Sequence, residues 1–205
     1  RGRRMSQNTP LPQIRQRSVQ SAGSALQSGP PPGTAGHIPA TSLYVHVPFC
    51  FHKCHYCDFY SLVDTRDRQP DFVKRLAAEL ESLSPWAGKV PLQTIFVGGG
   101  TPSLLQPDLW RRLLGSLHTH FRMADMRTGP GEFTVECNPE TVTPELMRIL
   151  ADGGVNRVSI GAQSFNPVHL KTLERWHDPA NVARALSMAR DAGIPRQSID
   201  LIFGI

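Results

Sequence analysis

Residues 43–57 read LYVHVPFCFHKCHYC. The run Leu43–Val47 is rich in β-branched and aromatic side chains, as a short strand is, and Pro48 ends it because it has no N–H to give to a ladder. A loop follows that carries Cys50, Cys54 and Cys57 in C-x3-C-x2-C spacing. Downstream, residues 70–84 (PDFVKRLAAELESLS) place Phe72, Leu76, Leu80 and Leu83 at helical spacing. Gln93–Val97 predicts a buried strand closed by Gly98-Gly99-Gly100, and Pro107 to about Phe121 a helix with Leu109, Leu113, Leu114 and Leu117 on one face. Phe133–Cys137 predicts a third strand. A helix capped by Thr143 runs to Asp152 and stops at Gly153-Gly154. Arg157–Gly161 is the fourth strand, 166–174 and 179–192 are helical, and Ser198–Phe203 is the fifth strand. Regular alternation of strands and helices predicts the α/β class, a parallel sheet with outer helices, and chemistry at the carboxyl ends of the strands. Open doubly wound and closed barrel forms both satisfy it.

Charge divides the chain. Residues 1–41 hold Arg1, Arg3, Arg4, Arg15 and Arg17 and no acidic residue, so of 22 basic residues 17 remain to balance 17 acidic ones. The basic excess belongs to this segment, which is rich in Ser, Gln, Gly and Pro and too poor in large apolar residues to offset the entropy of ordering. Residues 1–41 are read as a disordered tail and 42–205 as the folded domain. The tail's composition also fits an organelle transit peptide, but Pro and Gly spoil an amphipathic helix, so a solvated extension of a cytoplasmic protein is preferred. A basic arm for nucleic acid is disfavoured because residues 1–41 contain no Tyr, Phe or Trp to stack on bases. No apolar run is long enough to span a membrane. Starting without Met and stopping inside an apolar run, the chain is expected to be a fragment.

Three of the four cysteines fall within eight residues, which points to metal or redox chemistry rather than a disulfide framework. Three thiolates can each ligate one iron of a cubane cluster, leaving the fourth iron open to a small molecule with amino and carboxylate groups. A reduced cluster there could pass an electron to a bound sulfonium. Zinc is the alternative, with His46, His52 or His55 completing a closed four-coordinate set. A bacterial ferredoxin would need a fourth nearby Cys followed by Pro, which is missing. Cys137, alone at a strand end, reads as a small core residue.

Other polar residues fall at successive strand ends. The glycines of GGGTPS (98–103) let a backbone approach a ligand closely, yet match no phosphate-binding loop. Glu136 at the end of the third strand can bond a ribose hydroxyl or an ammonium. Gln163 is polar in an apolar stretch, Arg175 can hold a carboxylate, and Asp200 is a charge between Ile199 and Leu201. Each alone is as readily structural as functional; together they favour one pocket.

The combination of YVHVPFC (44–50), the cysteine spacing, GGGTPS, VECNPE (135–140), SIGAQSF (159–165), Arg175-Trp-His177 and IDLIFG (199–204) resembles the radical S-adenosylmethionine superfamily. Within it, the resemblance is to the branch of oxygen-independent coproporphyrinogen III dehydrogenases and the related heme chaperones. It implies a partial (β/α)6 barrel of which this chain is the N-terminal part, truncated at the C-terminus. It implies a [4Fe–4S] cluster on Cys50, Cys54 and Cys57. Tyr44, Gly99, Gly100, Thr101, Glu136, Gln163, Arg175 and Asp200 are the implied contacts of S-adenosylmethionine, which is cleaved reductively to methionine and a 5′-deoxyadenosyl radical. The dehydrogenases resemble C-x3-C-x2-C-x-C, whereas Phe59 stands at the fourth cysteine position here. That departure, with the Arg-Trp-His segment, resembles the chaperone branch. The implied partners are heme or a porphyrinogen, a heme-accepting protein, and a reductant such as flavodoxin or ferredoxin. A Pro after Ile205, a final barrel strand and a heme-handling C-terminal segment are expected to follow.

Overall fold

Apolar and polar side chains alternate along the strands of this domain, and the alternation decides which way the sheet faces. Val45, Val47, Ile95, Val97, Phe133, Val135, Val158 and Ile160 are buried. Their neighbours in sequence, among them Glu136 and Ser159, point to the opposite face. The structure, a computed structural model, describes residues 38–205. Most of the expected tail therefore lies outside the described residues. Where that segment is described it is already tied down: Ala40 N–H donates to Trp86 O at 2.9 Å, and Thr41 O accepts from Gln93 N–H at 2.7 Å.

The elements are β1 (Ser42–Val47), β2 (Phe49–Cys50), β3 (Leu62–Val63), α1 (Gln69–Ala87), β4 (Thr94–Gly99), α2 (Pro107–His120), β5 (Glu132–Cys137), α3 (Pro144–Asp152), β6 (Arg157–Gln163), α4 (Pro167–Thr172), α5 (Pro179–Asp191) and β7 (Arg196–Leu201), with a 3-10 turn at Pro102–Leu104. All pairings are parallel, and the main sheet runs β1-β4-β5-β6-β7. That order is the sequence order, so every crossover steps in the same direction. Right-handed crossovers then put all helices on one face. A doubly wound sheet needs a reversal of strand order, which is absent from this sheet. The topology is the barrel-type arc, with helices outside and a polar concave face inside.

Proline sets the helix starts: among the described residues, each of the five α-helices has Pro at its first or second position, where a missing N–H costs nothing. Thr143, Asn166 and Asp178 cap α3, α4 and α5 with side-chain oxygens. The expected strands and helices are all present, with adjusted ends. Helix α1 continues past Ser84 to Ala87 with Pro85 in its last turn, and Ala87 is buried. Strand β7 starts at Arg196, paired with Arg157, and ends before Phe203. The two-residue strands β2 and β3 were too short to show a period. No helix of the described residues is long and apolar enough to cross a membrane.

Trp110 of α2 is wholly buried and its indole N–H donates to Pro102 O at 3.1 Å. It thereby braces the glycine loop from beneath. Replacing it leaves a large cavity and an unpaired carbonyl, so Trp110→Ala is expected to lower unfolding stability by about 3–5 kcal/mol in urea titrations.

Candidate functional site

The cysteine loop is fastened to the end of β4 by backbone groups. Gly100 N–H donates to Val47 O at 2.8 Å and Thr101 N–H to Phe49 O at 2.7 Å, while Leu62 N–H returns to Pro48 O at 2.8 Å. The approach is so close that a Cβ on Gly100 would lie 2.7 Å from the Phe49 carbonyl oxygen. Within the loop all three thiols are free, and Cys57 N–H donates to Cys54 O at 3.1 Å. The Thr101 hydroxyl donates to Cys50 Sγ at 3.7 Å, a contact that stabilises a thiolate. Tyr56, between the last two cysteines, has its phenol pushed up to about 12 by burial, against the pull of Arg175. From across the cleft Glu174 faces two histidines of the loop, at 3.2 Å from His52 Nε2 and 3.5 Å from His55 Nδ1. Among the described residues, no three His, Cys, Asp or Glu side chains close on a single ion.

The loop forms one lip of a cleft of about 630 Å³ at the carboxyl ends of the strands. Cys50, Cys54, Cys57, Gly99, Gly100, Thr101, Glu136, Gln163, Arg175 and Asp200 all line it. Tyr44 does not. Its ring stacks on Phe96 and its hydroxyl bonds His46 Nδ1 at 3.1 Å, and His46 Nε2 in turn meets Tyr60 O at 2.8 Å. The expected cosubstrate contacts are thus brought together, with Tyr44 one residue removed.

Glycine makes room for Glu136. A Cβ on Gly98 would lie 2.7 Å from Glu136 Oε2, and Gly99, at φ +113, donates its N–H to the same oxygen at 3.1 Å. Burial raises the Glu136 carboxyl above its ordinary 4.5; the Gly99 N–H opposes this and the Asp200 charge adds to it. At the end of β6 a bulge separates Gly161 from Gln163, which adopts φ +61, a left-handed conformation that costs a non-glycine residue about 1 kcal/mol or more. Arg175 donates to the Gly161 carbonyl at 2.8 Å, and Asp200 accepts from the Ser159 hydroxyl at 2.8 Å.

Sequence reasoning missed the Glu174 contact to the loop, because its partners lie about 120 residues away. It also missed the aromatic lip: Phe51, Phe59 and Trp176 line the cleft and are exposed. His177 was visible only as part of a motif.

Known proteins with similar sequence and shape agree with this picture. Residues 44–205 match the Radical SAM superfamily model. The chain is 35% identical over 164 residues to the heme chaperone HemW of Bacillus subtilis, covering 80% of this chain and 42% of that protein. With the heme chaperone HemW of Escherichia coli it shares 37% identity over 169 residues, 82% of this chain and 44% of that protein. The solved structure of coproporphyrinogen III oxidase (HemN) from Escherichia coli, a radical SAM enzyme, superposes with a TM-score of 0.74 at 28% identity, covering 83% of this chain and 39% of that one. The chain therefore spans less than half the length of these relatives.

A raised carboxyl pKa means that the folded chain binds the proton more tightly than the unfolded chain does. Stability linked to Glu136 is thus lost as pH rises from the ordinary value of 4.5 through the folded value. Glu136→Gln removes that loss while keeping an acceptor for Gly99. The variant is expected to melt higher than the parent at pH 7, with the gap shrinking below the ordinary carboxylate range. Melting curves across pH check both parts.

Proposed function

The chain belongs to the radical SAM superfamily, and on that basis we propose that its cleft holds a [4Fe–4S] cluster on Cys50, Cys54 and Cys57 with S-adenosylmethionine beside it, in a protein that carries heme to an acceptor. The observation that supports the site is the juxtaposition of three free thiols with Glu136, Asp200 and Arg175 in one cleft. Thiolates suit iron, carboxylates suit an ammonium and ribose hydroxyls, and a guanidinium suits a carboxylate. When bound, the cluster supplies one electron for reductive cleavage of the sulfonium. Thr101 steadies one thiolate, and Gly99 and Gly100 bring backbone groups within reach of the ligand.

Heme transfer is favoured by the likeness to heme chaperones and by Phe59, which stands where the dehydrogenase pattern has its fourth cysteine and faces the cleft. The porphyrinogen-oxidising alternative draws on the likeness to HemN. An electron-donating flavodoxin or ferredoxin and a heme-accepting protein complete the proposal. A reducing, cytoplasmic setting suits a site built on free thiols.

Two measurements on the full-length protein test this reading. Anaerobic reconstitution is expected to load about four irons per chain, and Cys54→Ala to lose them; full iron in that variant refutes the ligand assignment. With reductant, S-adenosylmethionine and coproporphyrinogen III, no decarboxylated product is expected by mass while added heme gives a bound absorption band. Robust product formation would move the protein to the dehydrogenase class.

A further inference from the structure

Among the described residues, buried side-chain polar atoms without a hydrogen-bond partner are few: Ser61 Oγ, Ser116 Oγ, and both ring nitrogens of His177. Ser61 and His177 line the cleft. His177 is only 5% exposed, deeper than any other titratable wall residue except Cys137. The Ala162 carbonyl lies toward its ring but outside hydrogen-bonding geometry, and it accepts from Ser164 N–H at 2.6 Å. Burial first, and the Arg175 charge second, lower the imidazole pKa, so at neutral pH the ring is uncharged and has one N–H to give. An unpaired buried donor of this kind is costly to the free protein, and a ligand that satisfies it removes that cost.

The local chain explains where the donor points. Residues 175–178 form an irregular link between α4 and α5. Along it Arg175 is half-buried and His177, two residues on, is buried, while Trp176 between them is 80% exposed. Arg175 uses one amino group on the Gly161 carbonyl and keeps other N–H groups free to bond. Two donors, one cationic and one neutral, thus share one part of the wall. Their common complement is a carboxylate.

We propose that His177 is a ligand-binding residue, donating its ring N–H to the cosubstrate carboxylate that Arg175 holds. This rests on the reading that the cleft takes S-adenosylmethionine. It assigns to the free protein a cost that disappears when the ligand arrives: the same residue weakens the empty fold and strengthens the complex.

The test uses the full-length, cluster-loaded protein with His177→Leu, which keeps the side-chain volume but removes both nitrogens, and His177→Gln, which restores a donor. Before cosubstrate is added, the Leu variant is expected to melt at or above the parent temperature. Its Kd for S-adenosylmethionine, from calorimetry, is expected to rise about 10-fold or more, the loss of one hydrogen bond to a charged group. For the decarboxylated cosubstrate, the same substitution is expected to leave Kd unchanged, and the Gln variant is expected to recover part of the lost affinity for the intact cosubstrate. A Leu variant that melts lower while binding unchanged makes His177 a structural residue and overturns the proposal, as does an equal loss for both ligands. A parent protein that takes up iron yet binds no cosubstrate overturns the reading of the cleft itself, and this inference with it.

Discussion

Two backbone hydrogen bonds, from Gly100 and Thr101 to the carbonyls of Val47 and Phe49, hold the whole site together. They carry the parallel ladder of β1 and β4 past the end of the strands and into the first residue pair of the cysteine loop. Without a side chain at Gly100 the two segments touch backbone to backbone; any Cβ would strike the Phe49 carbonyl. The loop is short of other anchors. Its return is fixed by Leu62 to Pro48, and its far side by the histidines that meet Glu174. Positioning of three thiols thus rests on glycine geometry more than on packing.

Inside the arc, stability is given up for chemistry. Glu136 on β5 and Asp200 on β7 are like charges on either side of β6; Glu136 is half-buried, and Asp200 raises its carboxyl. Gln163 holds a left-handed backbone at a bulge. These features would be poor choices for a core, and they gather where the outer face is at its most regular. Beneath them, Val97, Val135 and Ile160 are completely buried under the helices and absorb the cost.

Much of this was legible before the structure. Strands showed because Val45, Ile95, Val135 and Ile160 belong to apolar runs bounded by Gly or Pro, and helices because their leucines recur at helical spacing. The choice between doubly wound and barrel forms was not legible from the residues, since both have the same alternation; strand order decides it. The site residues were readable as polar interruptions at strand ends, a pattern set by the fold class. What stayed hidden depends on distant partners. Glu174 acquires its role only when the fold brings it to His52, and an unpaired ring such as His177 can be recognised only when its surroundings are known.

The strand order has a consequence in time. Ser42 and Thr94, at the base of the β1–β4 ladder, are 52 residues apart, and every later pairing also closes over a helix. No pair in the main sheet joins through a hairpin, so contacts of long sequence separation must form before any ladder exists, which slows folding. Until β1 meets β4, the thiols of Cys50, Cys54 and Cys57 hang on an unanchored segment. Cys137 leaves the exchange once β5 is covered, where burial pushes its thiol up to about 12 and makes it inert. The nascent chain thus passes through an interval in which its thiols are open to indiscriminate exchange.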